Sequence, residues 1–185
     1  MNAPTVIVLA SGRGERYTAS GGTCHKLQAE LAGKTVLQHA LDAVAQSGLP
    51  WHLENSGRPG MGDSIAAAVA ATPASNGWLI LPADLPLIQS KTLRAVASAL
   101  LEHAVVLPMY HGQRGHPVGF AVECRAALLN LQGDQGAASV VRCQPALELN
   151  VDDVGCVTDI DTVEDLQRAQ RWLQVICGRL NGGGH

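Results

Sequence analysis

Three sets of residues could act on one ligand. Between Leu9 and Leu27 the chain reads LASGRGERYTASGGTCHKL, a glycine-rich stretch that carries Arg16 and ends in Lys26-Leu27. Asp84 follows the apolar run Trp78-Leu79-Ile80-Leu81, and Asp159 and Asp161 flank Ile160 near the C-terminus. A glycine-rich turn after an apolar run presents backbone N–H groups to an anion with no side chain in the way. Nearby cations stabilise the charge that gathers on a phosphorus under attack. One or two carboxylates suffice to hold a divalent metal that also bridges phosphates. Together these are the needs of nucleotidyl transfer from a triphosphate. An acceptor phosphate is already an anion near neutral pH, so the absence of a Ser-His-Asp set is no obstacle.

Two other phosphate loops fit worse. A dinucleotide fingerprint requires G-x-G-x-x-G after the strand. Gly12 and Gly14 satisfy its start, but Tyr17 stands at the third glycine, and no acidic residue closes a second strand at the expected distance. A Walker A loop requires Gly-Lys-Ser/Thr, whereas Lys26 lies between His25 and Leu27.

The elements that position these residues are legible from periodicity. Val6-Ile7-Val8-Leu9 and Trp78 to Leu81 read as strands buried on both faces. Ala104 to Leu107, Val118 to Val122 and Leu147 to Val151 are strand-like. Apolar residues at helical spacing predict a helix over 34–47 closed by Gly48, and another after Gly60-Met61-Gly62. Ser90 is expected to cap a further helix and Asp134 to open a short one. Thr162 and Asp165 form a capping box for the last helix. The alternation predicts an α/β fold, three-layered, with a mostly parallel sheet and one antiparallel strand, over a single domain 1–180 with a flexible Gly-rich tail at 181–185. Ligands of such folds bind beyond the carboxyl ends of the strands, where the loop after Leu9, Asp84 and the late acidic cluster all fall.

Composition narrows the function classes. The net charge is -3 and Lys and Arg are scattered, which argues against a nucleic-acid polymer as partner. No run approaches the ~18 apolar residues of a membrane span. The five cysteines are odd in number and contain no CxxC, so free thiols in a reducing cytoplasm are expected rather than disulfides or structural zinc.

VLASGRGERY with HKL, GMGDSIAAAV, LPADLPLI, GQRGHPVGF, GDQGA and TDIDTVEDL occur in one order along nearly the whole chain. In these motifs the sequence resembles the MobA-like NTP-transferase superfamily, and most of all its molybdenum cofactor cytidylyltransferase group. The resemblance implies a Rossmann-like nucleotidyltransferase fold, CTP as substrate, Mg²⁺ as cofactor and a phosphorylated acceptor, molybdenum cofactor, with a molybdoenzyme receiving the product. Guanylyl transfer, transfer to a sugar or alcohol phosphate, and a non-catalytic cofactor-binding chaperone remain as alternatives. By position, Leu9, Ala10, Ser11, Gly12, Arg13 and Gly14 would bind base edge and triphosphate. Arg16 and Lys26 would neutralise the reacting phosphates, and Asp84 would hold the metal with Asp161 or Asp159. Gly62 and Ser64 would lie near ribose or base, and Pro82 and Ala83 would border the nucleotide. His116, Pro117 and Asp134 would face the acceptor.

Each assignment has a plainer counterpart. Asp84 could shape a turn, Asp134 and the late aspartates could be helix N-terminal acids, and His116 could simply start a strand. The sequence also departs from the pattern. Cytidylyl enzymes of this group tend to LAAG and PADxP and guanylyl enzymes to LAGG and PCDTP. Ala83 favours CTP, while Ser11 matches neither. The segment from Thr18 to His25 is longer than usual and could displace Lys26 or form a lid. A strand-helix unit after the first long helix looks deleted.

Overall fold

The computed structural model describes residues 3–12 and 14–181, with side chains as far as 175. Arg13 and residues 182–185 of the expected tail lie outside the described residues, and Asn181 ends the last helix.

The chain opens with β1 (Thr5–Leu9), α1 (Glu15–Ala19), a 3₁₀ turn over Lys26–Gln28, the two-residue strands β2 (Glu30–Leu31) and β3 (Lys34–Thr35), and α2 (Val36–Ser47). It continues through β4 (Trp51–Glu54), α3 (Met61–Ala71), β5 (Gly77–Pro82), α4 (Ser90–Ala99), β6 (Val105–Tyr110), β7 (Gln113–Arg114) and β8 (Val118–Ala121). Then come α5 (Arg125–Leu129), α6 (Ala138–Arg142), β9 (Ala146–Asn150) and α7 (Val163–Asn181). β4, β1 and β5 pair in parallel, and β8 runs antiparallel between β5 and β6. β9 joins β6 in parallel, and β7 pairs antiparallel with its end. The α/β class, the mostly parallel sheet and the antiparallel strand are as expected. β2 and β3 form a separate small ladder.

Strand alternation sends residues to two cores. Val6, Val8, Leu79 and Leu81 pack with Val36 and Val44 of α2, Leu93 and Val96 of α4 and Ala169 of α7. Ile7, Trp78, Ile80 and Phe120 pack with Ile65 and Val69 of α3, Leu128 of α5 and Val140 of α6. The sheet is thus the middle of three layers. Trp78 and Phe120, both 0% exposed, supply much of the second core in a chain poor in aromatics.

Several helix ends obey local rules. The Thr35 hydroxyl accepts from Gln38 N–H at 3.1 Å, and Gly48 closes α2 in the left-handed region at φ 73°. In the expected capping box, Asp165 Oδ2 accepts from Thr162 N–H at 2.9 Å while Thr162 Oγ1 accepts from Asp165 N–H at 3.2 Å. Ser90, however, does not cap α4. It is the first helical residue, and the capping acceptor comes from Asp153, whose Oδ2 takes Gln89 N–H at 3.0 Å and Thr92 Oγ1–H at 2.5 Å. Asp134 does not open a helix either: it sits in a turn, and α6 starts at Ala138.

Between α2 and α3, the latter being the helix expected after Gly60-Met61-Gly62, the chain forms one strand, β4, and no further helix. Trp51-His52-Leu53-Glu54 is short and half exposed because β4 is an edge strand with one neighbour, so it lacks the continuous apolar run of a central strand.

Candidate active site

The ends of β1 and β5 open on a cleft of about 750 Å³. Leu9, Ser11, Gly12, Gly14, Arg16 and Lys26 line one side, and Pro82, Asp84, Asp159 and Asp161 its floor. His116 and Asp134 border it opposite.

Lys26 is held at the centre by its own short turn. His25 caps that turn through Nδ1, which accepts from Leu27 N–H at 3.3 Å, while Nε2 donates to the Gly12 carbonyl at 2.7 Å. One imidazole therefore ties the glycine loop to the lysine. Lys26 Nζ then bonds Asp84 Oδ2 at 2.6 Å and Asp161 Oδ1 at 2.9 Å. Arg16 Nη1 bonds the other oxygen of Asp161 at 3.0 Å. Burial alone would lower the Lys26 pKa, but the carboxylates of Asp84 and Asp161 raise it above the usual lysine value. The Lys26 hydrogen bond, opposed by burial and joined by the Lys26 and Arg16 charges, holds Asp161 below the usual carboxylate range.

The segment between Arg16 and Lys26 neither displaces the lysine nor hangs free. Tyr17 is buried under it, and Gly22 lies so close to the Tyr17 ring that a Cβ there would overlap it. Ser20 Oγ accepts from Val163 N–H at 3.0 Å, which pins the segment to the start of α7.

Asp84 is placed by backbone bonds on both sides. Ala83 N–H donates to the Leu9 carbonyl at 3.0 Å, and Ile160 N–H donates to the Asp84 carbonyl at 2.9 Å. The second bond fixes Asp84 against Asp159 and Asp161. The loop bearing those residues also leans on Gly155, which packs on the Leu87 backbone, and on the bond from His116 N–H to the Cys156 carbonyl at 2.8 Å. Burial holds the Cys156 thiol up at about 11, so it stays protonated and unreactive near neutral pH.

Two polar atoms here have no hydrogen-bond partner. Asp84 Oδ1 and His116 Nδ1 are buried without one. Burial lowers the His116 pKa against the opposing influence of Asp84, the Ile80 carbonyl and Asp159, so the ring is neutral near pH 7. Burial, with the charges of Asp84, Asp161 and Asp165, raises the Asp159 carboxyl. Among the described residues no group of three or more His, Cys, Asp or Glu side chains is arranged to hold a metal. A donor set of one or two carboxylates suits a hard cation that completes its shell with phosphate and water, and the unpartnered Asp84 Oδ1 is a donor of that kind.

Not every expected residue reaches the cleft. Ala10 N–H is bonded to the Glu54 carbonyl at 2.9 Å, so it cannot donate to a base. Gly62 N–H donates to the Gly133 carbonyl at 2.8 Å, and Gly62 packs on the backbone of Gln132 and Gln135. Ser64 and Ala83 are buried at 0% and 1% exposure and support the cleft from behind, and Pro117 is buried beside His116. Conversely, Arg58 and Met61 on one rim and Gln113 and Arg114 on the other line the cleft. The hairpin that carries Gln113 and Arg114 turns through His111 at φ 47° and Gly112 at φ 80°. Nothing about the type of Gln113 or Arg114 marks them; their only sequence signal is their place just before Gly115-His116-Pro117.

The fold has solved counterparts. Rv0371c of Mycobacterium tuberculosis superimposes at TM-score 0.77 with 24% identity over 92% of this chain and 98% of that one. Its complex with manganese superimposes at 0.72 with 23% identity over 92% and 99%. A nucleotidyl transferase from Methanothermobacter thermautotrophicus gives 0.78 at 16% identity over 95% and 100%. Molybdopterin-guanine dinucleotide biosynthesis protein A from Archaeoglobus fulgidus gives 0.67 at 17% identity over 95% and 99%. The chain spans nearly the full length of each. Residues 42–152, more than half of the sequence, match the MobA-like NTP transferase domain, and the chain belongs to that nucleotidyltransferase family.

Proposed function

We propose that this protein transfers CMP from CTP to the phosphate of molybdenum cofactor with release of pyrophosphate, using Mg²⁺. The observation that carries the reading is the convergence of Arg16, Lys26, Asp84 and Asp161 at the strand ends, joined by bonds of 3.0 Å from Arg16 to Asp161, 2.9 Å from Lys26 to Asp161 and 2.6 Å from Lys26 to Asp84. The choice of CTP rests on Ala83 in PADLP, and the acceptor on the family and on the named activity of its Archaeoglobus relative.

In this reading an oxygen of the acceptor phosphate attacks the α-phosphorus in line. A new P–O bond forms as the bond to the bridging oxygen breaks, and the electron pair leaves with pyrophosphate. Gly12 and Gly14 let the triphosphate approach the loop backbone. Lys26 and Arg16 turn from Asp84 and Asp161 to the phosphates and stabilise charge on the reacting group. Asp84 would hold the metal, with Asp161 or Asp159 as the second carboxylate: Asp161 is released as Lys26 and Arg16 turn to the phosphates, and Asp159 lies in the same cleft. When bound, the metal supplies Lewis-acid polarisation of the phosphoryl oxygens. The manganese complex of Rv0371c supports a divalent ion. His116 and Asp134 face the acceptor from the far wall. A molybdoenzyme would receive the product.

The test is pyrophosphate release from CTP, GTP, ATP and UTP in Mg²⁺ with molybdenum cofactor as acceptor. Release with CTP alone supports the reading, and release with GTP alone replaces the nucleotide.

A further inference from the structure

We infer that His25 is a positioning residue that sets Lys26 in register with the glycine-rich loop, so that a phosphate lying on the loop backbone meets the Lys26 ammonium. This rests on the nucleotide reading above. It concerns a side chain outside the cleft: Gly12, Gly14 and Lys26 line it, and His25 does not.

The bond directions at His25 are fixed by its partners. Leu27 N–H can only donate, so Nδ1 at 3.3 Å carries the lone pair; the Gly12 carbonyl can only accept, so Nε2 at 2.7 Å carries the proton. One ring nitrogen is thus taken by the lysine turn and the other by the loop. The ring also packs between the two. A Cβ at Gly14 would lie 3.4 Å from His25 Nε2 and 3.5 Å from Lys26 Cγ, so loop backbone, imidazole and lysine stem are in contact.

A direct tie matters because the covalent route is long. From Gly14 to Lys26 the chain passes through α1 and the segment up to His25, the part that exceeds the family pattern. That segment is pinned elsewhere, by Ser20 to the start of α7 and by Gly22 against Tyr17. Lys26 is pinned in turn to Asp84 and Asp161. Neither anchor belongs to the glycine loop, which follows from β1. The imidazole joins loop and lysine turn across this gap. It also engages the Gly12 carbonyl, whose negative end would otherwise be free to turn toward a phosphate.

The test begins with calorimetric binding of CTP, GTP, ATP and UTP, each with Mg²⁺, to the wild type. The tightest binder is then measured on His25→Ala, His25→Asn, Lys26→Met and the double variant His25→Ala/Lys26→Met, with a melting curve for each. His25→Ala should weaken the nucleotide about fivefold, the size of one lost hydrogen bond. In the Lys26→Met background the same change should cost less than about twofold, because the group it positions is gone. His25→Asn separates the tie from the cap. Asparagine is a strong N-cap residue and keeps an acceptor for Leu27 N–H, but its amide ends one atom short of Nε2 and does not reach Gly12. It should therefore bind the nucleotide as weakly as His25→Ala while melting closer to the wild type. A merely structural role would lower the melting temperature and leave the affinity intact. Wild-type affinity in His25→Ala or His25→Asn, or an equal loss with and without Lys26, would overturn the inference while the nucleotide reading stood. Failure of all four nucleotides to bind the wild type would remove that reading and this inference with it.

Discussion

Lys26 Nζ lies 2.6 Å from Asp84 Oδ2, joining residues 58 positions apart in the sequence. The lysine side chain is 12% exposed and Asp84 17%, so solvent screens the pair far less than a surface salt bridge. With Asp161 it forms an arrangement in which Lys26 and Asp84, the proposed phosphate-binding cation and the proposed metal-binding carboxylate, satisfy each other. In the proposed mechanism a triphosphate competes for Lys26 and in doing so frees Asp84. Lys26→Met should lower turnover by about 10²- to 10³-fold and weaken CTP binding about tenfold, read by pyrophosphate release and calorimetry. Turnover within threefold of wild type would show that Lys26 is not at the reacting phosphate.

Gly155 lets the acidic loop sit directly on the loop after Asp84. A Cβ at this position would overlap the Leu87 carbonyl, which is backbone and cannot swing aside. Gly155→Ala should cost about 3 kcal/mol, a fall in melting temperature of about 6–12 °C. It should also reduce CTP turnover at temperatures where the variant is still folded, because the same contact sets the distance between Asp84 and Asp159. A melting temperature within 2 °C of wild type would contradict the packing.

Glu54 links stability to pH. Its side chain is 7% exposed at the end of β4. Burial alone would raise its pKa, but bonds from Ser56 Oγ–H and Ser56 N–H and the charges of Arg58 and His52 lower it below the usual value. A depressed folded pKa stabilises above the unfolded value of about 4.3, and that contribution is lost as pH falls through the folded value. Glu54→Gln should therefore reduce stability at pH 7 by about 1–2 kcal/mol, and the two proteins should converge as pH is lowered below about 4 in urea titrations. A constant gap across pH would show that the charge of Glu54 does not matter.

The sequence made the central strands, both long core helices and the C-terminal capping box legible, because each is a local pattern. Val6 to Leu9 and Trp78 to Leu81 are continuous apolar runs, and Thr162 and Asp165 bond each other within one turn. Edge strand β4 was not legible, since one neighbour leaves Trp51 exposed and demands no apolar run. The cap of α4 was misread because its acceptor, Asp153, comes from 64 residues away. Arg16, Lys26, Asp84 and Asp161 were legible as a set through motif order, and they do converge. Ser64 and Gly62 carried the right motif but the wrong location, because a helix has a buried face and spacing alone does not say which residues fall on it.

The most direct test of the central claim is pyrophosphate release from CTP with molybdenum cofactor and Mg²⁺, wild type against Asp84→Asn. Asparagine keeps the size of Asp84 but removes its charge. The proposed metal role predicts a loss of about 10³-fold or more in turnover with the fold intact by circular dichroism. Turnover by Asp84→Asn within tenfold of wild type would contradict it.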